Sequence, residues 1–181
     1  PFINAEKVGD NVWKLDVYQT DGLGIDWERT MWYINDGNES VVQKQGASIT
    51  HAFAYKEEAM GYPVVVEMYY KGGGKPFSKV KTIDVEGDEF VPMITWDDDR
   101  EDPNVVHFSA QESVGSNIDW SQTKWTFGDS SEAQYGATAA HKYQVDSKGT
   151  SYKVSVTLMR RSANGSQETK TVYKSIDIAE D

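Results

Sequence analysis

The side chains best placed to do chemistry in this sequence are acids. Asp97-Asp98-Asp99-Arg100-Glu101-Asp102 brings Asp97, Asp98, Asp99 and Asp102 into one short run. Calcium takes roughly six to eight oxygens from carboxylates and carbonyls in flexible geometry, so such a run is a candidate Ca2+ site, and the ion would offset the repulsion among the acids. A solvated loop explains the same run without a ligand. A second candidate set is Asp21 with Asp26 in the first half, answered by Asn117 with Asp119 in the second. Neither set keeps the spacing of an EF-hand loop. The histidines are His51, His107 and His141, and no nucleophile-elbow sequence accompanies them. Paired carboxylates arise by chance in a chain this acidic. These residues predict no enzyme and no required cofactor, with structural Ca2+ as the one ion to consider.

A duplication positions these residues. Ile25-Asp26-Trp27-Glu28-Arg29-Thr30-Met31-Trp32-Tyr33-Ile34-Asn35-Asp36-Gly37 returns 93 residues later as Ile118-Asp119-Trp120-Ser121-Gln122-Thr123-Lys124-Trp125-Thr126-Phe127-Gly128-Asp129-Ser130. Pro1-Phe2-Ile3 answers Pro92-Met93-Ile94, His51-Ala52-Phe53 answers His141-Lys142-Tyr143, and Thr82-Ile83-Asp84-Val85 answers Ser175-Ile176-Asp177-Ile178. Solenoid units run about 20 to 50 residues. A longer period suits a self-sufficient domain, since many β-sandwiches need only about 100 residues. Two similar domains are therefore expected, 1–88 and 89–181, with the seam at Glu86-Gly87-Asp88-Glu89.

Both halves alternate with period 2, the signature of half-buried strands. Trp13, Leu15 and Val17 share one face, as do Val106, Phe108 and Ala110; Val64, Val66 and Met68 are matched by Val154, Val156 and Leu158. Trp32 with Ile34 and Trp125 with Phe127 give a third strand, Ile83 with Val85 and Ile176 with Ile178 a closing one. Gly/Asn/Asp turns such as Asn35-Asp36-Gly37-Asn38 and Ser162-Ala163-Asn164-Gly165-Ser166 punctuate the runs. The pattern predicts an all-β protein of two antiparallel sandwiches. Tyr62 and Tyr152 each precede a valine-rich strand, where an Ig-like sandwich places a tyrosine that ties a corner through its hydroxyl.

Composition narrows the partners. A formal charge of -11 argues against nucleic acid, which draws on clustered Lys and Arg. No apolar run approaches the ~20 residues of a membrane-spanning helix, so membrane insertion is not expected. Cysteine is absent, so no disulfide reinforces either half. The sequence begins with Pro and reads as a piece of a longer chain.

Trp125-Thr126-Phe127-Gly128-Asp129-Ser130, then His141-Lys142-Tyr143, then Tyr152-Lys153-Val154-Ser155-Val156 resembles the PKD (polycystic kidney disease) domain, with its W-x-F-G-D-G, H-x-Y and Y-x-V-x-V elements. The first half carries a weaker copy, with Ile34 for the Phe and Asn35 for the Gly; in the second, Ser130 replaces the final Gly. The resemblance implies two tandem Ig-like sandwiches of about seven strands each, in a secreted or cell-surface protein, bacterial by family context. It also implies a module that spaces neighbouring domains or contacts insoluble substrate, with calcium bound in some members. On physical grounds, the Trp and the residue two later fill the interior, the Gly or Asn permits a positive φ, and the Asp accepts from turn amides.

Strand parity sends Tyr33 and Tyr69 outward in the first half, with Met31 and Val65 on the same face, where the second half has Thr126, Met159, Lys124 and Ser155. If the two strands are adjacent, the first domain displays an aromatic patch, and contiguous apolar patches usually mean contact. Trp27 and Trp120 recur just before that strand and are assigned to packing. The resulting expectation is a non-catalytic accessory module that binds or presents an extracellular polysaccharide, or a matrix protein, through Met31, Tyr33, Val65 and Tyr69. The alternative is a passive spacer, stiffened by calcium, in an adhesin or secreted enzyme.

Overall fold

The computed structural model describes residues 1–18, 24–38, 40–144 and 150–178, so Asp21 lies outside the described residues. The chain divides into two compact units, Pro1–Asp88 with Ser162–Ser166, and Glu89–Arg161 with Gln167–Asp181. Apart from two single-turn 3-10 segments, every regular element described is a β-strand.

The first unit contains β1 (Phe2–Gly9), β2 (Val12–Tyr18), β3 (Met31–Ile34), β4 (Val42–Gln45), β5 (Ser48–Ala52), β6 (Met60–Met68) and β7 (Phe77–Val85). They form one sheet of order β1-β2-β5 and one of order β4-β3-β6-β7, antiparallel throughout. The second contains β8 (Thr95–Asp98), β9 (Val105–Ser109), β10 (Lys124–Thr126), β11 (Gln134–Tyr135), β12 (Thr138–Lys142), β13 (Thr150–Arg161) and β14 (Gln167–Ile178). Its sheets are β8-β9-β12 and β11-β10-β13-β14. Adding seven to each strand number of the first unit reproduces the second. The protein is all-β, two tandem Ig-like antiparallel β-sandwiches.

Alternation decides the interior. Leu15, Val17, Trp32, Ile34, Val64, Val66, Met68, Ile83 and Val85 line one core; Val106, Phe108, Trp125, Phe127, Val154, Val156, Leu158, Ile176 and Ile178 line the other. Trp27 and Trp120 pack against these cores from the 3-10 turns Trp27–Arg29 and Trp120–Gln122. The two central tryptophans share a polar anchor too. Trp32 Nε1 donates to the Gly46 carbonyl at 2.7 Å, and Trp125 Nε1 to that of Gly136 at 2.9 Å. A buried indole N–H otherwise goes unpaired, so each bond fixes the ring's orientation.

Two expectations need correction. Gly128 has φ 81°, but its counterpart Asn35 does not take over that role: the left-handed residue of the first turn is Gly37 at φ 89°, matched by Ser130 at φ 64°. Tyr152 donates to the Gln144 carbonyl at 3.0 Å, as a corner tyrosine should, whereas the Tyr62 hydroxyl is buried with no hydrogen-bond partner among the described residues. Tyr62 stacks on Phe53 instead, at 5.1 Å between ring centroids, so its contribution there is packing.

Candidate functional site

Strands β3 and β6 are adjacent, with Tyr33 opposite Val65 and Met31 opposite Glu67. Since residues directly opposite in an antiparallel pair point to one side, the register continues each pair across the sheet. One rung reads Gln43, Tyr33, Val65, Val80; the next reads Gln45, Met31, Glu67, Ser78. Both lie on the outer face, because the intervening Trp32 and Val66 are buried. Met31, Tyr33, Val65 and Tyr69 are half-buried, and Val80 is 65% exposed, the most open apolar side chain on this face.

Tyr69 follows β6 directly. Its carbonyl accepts the Asp26 N–H at 2.8 Å, its hydroxyl donates to Glu67 Oε1 at 2.8 Å, and the Arg29 guanidinium lies 4.1 Å from its ring centroid. The Glu67 hydrogen bond, helped by burial, raises the phenol pKa. One face of the Tyr69 ring is thus covered by a cation, which leaves Tyr33 as the open ring. Gln43, Gln45 and Val80 were not anticipated, because β4 and the first half of β7 carry no repeated motif, and Arg29, in the 3-10 turn before β3, meets Tyr69 only through the fold.

Aromatic side chains are not confined to the first unit's outer sheet, contrary to expectation. In the second, one rung reads Tyr135, Lys124, Thr157, Thr171 and another Thr126, Ser155, Tyr173, with Tyr135 59% and Tyr173 56% exposed. Lys153 Nζ lies 4.6 Å from the Tyr173 ring centroid.

The acidic run does not converge on a common centre. Asp97 and Asp98 are neighbours on β8 and so point to opposite faces. Asp99 Oδ1 accepts the N–H groups of Glu101 and Asp102 at 2.8 and 3.1 Å, and its Oδ2 meets His107 Nε2 at 2.9 Å. The His107 bond and these amides lower the Asp99 pKa to about 2. Asp102 accepts from Asn104 N–H at 3.1 Å and from Lys142 Nζ at 2.6 Å. In the other set, Asp119 accepts from Ser121 N–H at 3.1 Å as the cap of a 3-10 turn, Asn117 donates to the Arg161 carbonyl, and Asp26 precedes the first 3-10 turn without a side-chain cap bond. Among the described residues no group of three or more His, Asp or Glu side chains is arranged to hold a metal ion. Asp99, Asp102 and Asp119 each accept an amide of their own turn.

Two of the histidines do similar work. His51 Nε2 meets Asp36 Oδ2 at 3.0 Å with the side chains only 5% and 1% exposed, and His141 Nε2 meets Asp129 Oδ2 at 2.7 Å. His141 also stacks on Phe127 at 4.1 Å and 3° between planes. In each half the motif aspartate is thereby bonded to the histidine of the next repeated element, while its other oxygen accepts a turn amide, from Asn38 or Ser131. Burial first, then the Lys44 ammonium, push the His51 pKa below 6.5 against the pull of Asp36. The unfolded chain therefore binds the proton more readily below pH 6.5, and the first unit loses stability as pH falls through that window. Asp129 behaves differently. Burial alone would raise its pKa, but hydrogen bonds from Ser131 and His141 outweigh it and hold the group below 3.8, so its contribution persists until pH falls under that value. Thermal melts from pH 7 to 5 should show the first unit's transition falling. His51→Gln should flatten that dependence, and an unchanged slope would refute the assignment.

The family model described as PKD domain matches residues 91–176. No curated protein matches the chain. Among the described residues no helix is long and apolar enough to cross a membrane. PKD domains are generally non-catalytic and typically extracellular modules. With its Trp-anchored sandwich, Gly128 turn and Asp129–His141 pair all lying inside the matched segment, the second unit is a PKD domain.

Proposed function

We propose that the chain is a non-catalytic accessory module of a secreted or cell-surface protein, holding a polysaccharide on the outer face of the β4-β3-β6-β7 sheet. The observation that carries this reading is the rung Gln43, Tyr33, Val65, Val80. A flat ring flanked by aliphatic side chains packs against the C–H face of a sugar, and the amide of Gln43 suits its hydroxyls, while the Gln45 amide donates to the Glu28 carbonyl. A neutral polymer fits better than an anionic one, since the chain carries a charge of -11. Co-sedimentation with insoluble neutral polysaccharides, with collagen as the matrix-protein competitor, tests this. Tyr33→Ala should weaken retention roughly tenfold, about 1.4 kcal/mol, without altering the far-ultraviolet spectrum. Retention of the variant equal to that of the parent would exclude this face.

A passive spacer is the second reading, favoured by Tyr69: its ring is capped by Arg29 and its hydroxyl is bonded to Glu67 within the same unit. For a spacer, no polymer retains the parent chain.

A further inference from the structure

The last strand of each sandwich carries its lysines on the inward side. β7 and β14 are the outermost members of their four-stranded sheets, so one row of backbone N–H and C=O groups on each pairs with no other strand among the described residues. β14 is the longer, with 12 residues against 9, and its Thr169, Thr171, Val172, Tyr173 and Ile176 suit an extended ladder. An edge of this length and composition is a template on which a further strand can pair.

Register assigns each side chain to a face. Lys81 lies opposite Val64 and Lys174 opposite Val154, and both valines are fully buried, so both lysines belong to the inward side of their sheets. Lys79 opposite Val66 and Lys170 opposite Leu158 repeat the arrangement. The outward positions between them are neutral, Val80 in the first unit and Thr171 and Tyr173 in the second. Lysines serving solubility alone would stand on that outward side. Lys81 and Lys174 also lie 93 residues apart (174 minus 81), each just two residues before a buried isoleucine, Ile83 or Ile176, so the inward charge recurs at one place in both copies.

Both side chains are nevertheless exposed. An inward lysine at a sheet edge stays so by running its stem along the rim and holding the ammonium in water. A strand added to β14 would lie about 4.8 Å away and close that exit, and a charge that loses its water is costly.

We propose that Lys174, with Lys170, closes the edge of β14 to strand addition by a second copy of this chain, and that Lys81 with Lys79 does the same for β7. A second copy is the strand to be excluded because it brings the same edge, which can pair with itself in antiparallel fashion. The device stands apart from the Tyr33 face and does not depend on it. β1 lies close to β7 in the first unit, so β14 is the place to test it.

Sedimentation velocity of the whole chain over a range of concentrations provides the test. Lys170→Val/Lys174→Val should sediment at twice the parent's mass or more, with amide hydrogen exchange slowed along β14. Ser175→Val adds apolar surface to the outward side of the same strand and should sediment as the parent does. Lys174→Met keeps the stem and removes the charge; it replaces the double variant if that one loses the parent's circular dichroism. A folded variant without the charge that keeps the parent's mass at every concentration overturns the proposal. So does association that Ser175→Val matches, or that leaves exchange along β14 unchanged.

Discussion

Replacing Trp125 by Ala is expected to abolish the second unit's unfolding transition at temperatures where the parent is folded, leaving the first unit's in place. Trp125 is fully buried, lies opposite Val156 on β13, and packs against Phe108 at 5.8 Å between ring centroids. Truncating a buried Trp to Ala costs about 3–5 kcal/mol. The Gly136 carbonyl also loses the indole N–H that it accepts at 2.9 Å, a further cost of about 1–3 kcal/mol if it stays buried. A domain of this size has roughly 5–15 kcal/mol in total, and with no cysteine nothing covalent supplements it. Trp125→Phe keeps an aromatic ring between the sheets and mainly sacrifices the hydrogen bond, so its loss should be nearer 1–2 kcal/mol, a Tm shift of roughly 4–16 °C. Calorimetry of the three chains decides. If Ala and Phe lower the second transition equally, the bond rather than the packing dominates and the account of the core is wrong.

What made this interior readable was duplication. Val64, Val66 and Met68 against Val154, Val156 and Leu158 keep their inner face while the outer face drifts, so two copies average away the noise that one strand would carry. The outer faces lacked that advantage. Tyr33 and Val65 could be placed by parity alone, but the neighbours that turn them into a surface, Gln43 on β4 and Val80 on β7, depend on register, which no local pattern encodes. Tyr135 was invisible for a related reason: β11 is two residues long, too short to show alternation. The acids could be read from type alone as a cation site, whereas the bonds that Asp99 and Asp102 accept, from the amides of Glu101, Asp102 and Asn104 and from His107 and Lys142, depend on loop geometry that type does not encode. Asp36 and Asp129 bonding His51 and His141 were also missed, although both members recur at matching places in the two halves. Recurrence alone could have suggested the pairing; the distances establish it.

Gly128 tests how strictly the motif turn is built. At φ 81° an L-residue sets its Cβ against a backbone oxygen, at about 1–2 kcal/mol. Space is the larger difficulty. A Cβ built there would lie 2.7 and 2.8 Å from the carbonyl oxygen and amide nitrogen of Lys153 on β13, and backbone cannot swing aside as a side chain can. Relieving the clash means separating the end of β10 from β13 just where Thr126 pairs with Ser155, and overpacking of this kind adds about 1–3 kcal/mol. Gly128→Ala should therefore cost the second unit about 2–5 kcal/mol. The counterpart substitution differs in kind. Asn35→Ala forfeits only an exposed side-chain bond, from the Gly37 N–H at 3.3 Å, and should cost less than about 1 kcal/mol. In the first unit the demand falls on Gly37, where a Cβ would meet the hydroxyl and Cε1 of the buried Tyr62 ring at 3.1 and 3.3 Å and the flexible Lys56 side chain at 3.4 Å, all side-chain contacts and all longer than the backbone clash at Gly128. Denaturant unfolding of the three alanine variants should rank them Gly128 above Gly37 above Asn35. An Asn35→Ala loss matching that of Gly128→Ala would mean that the two turns share one backbone geometry after all.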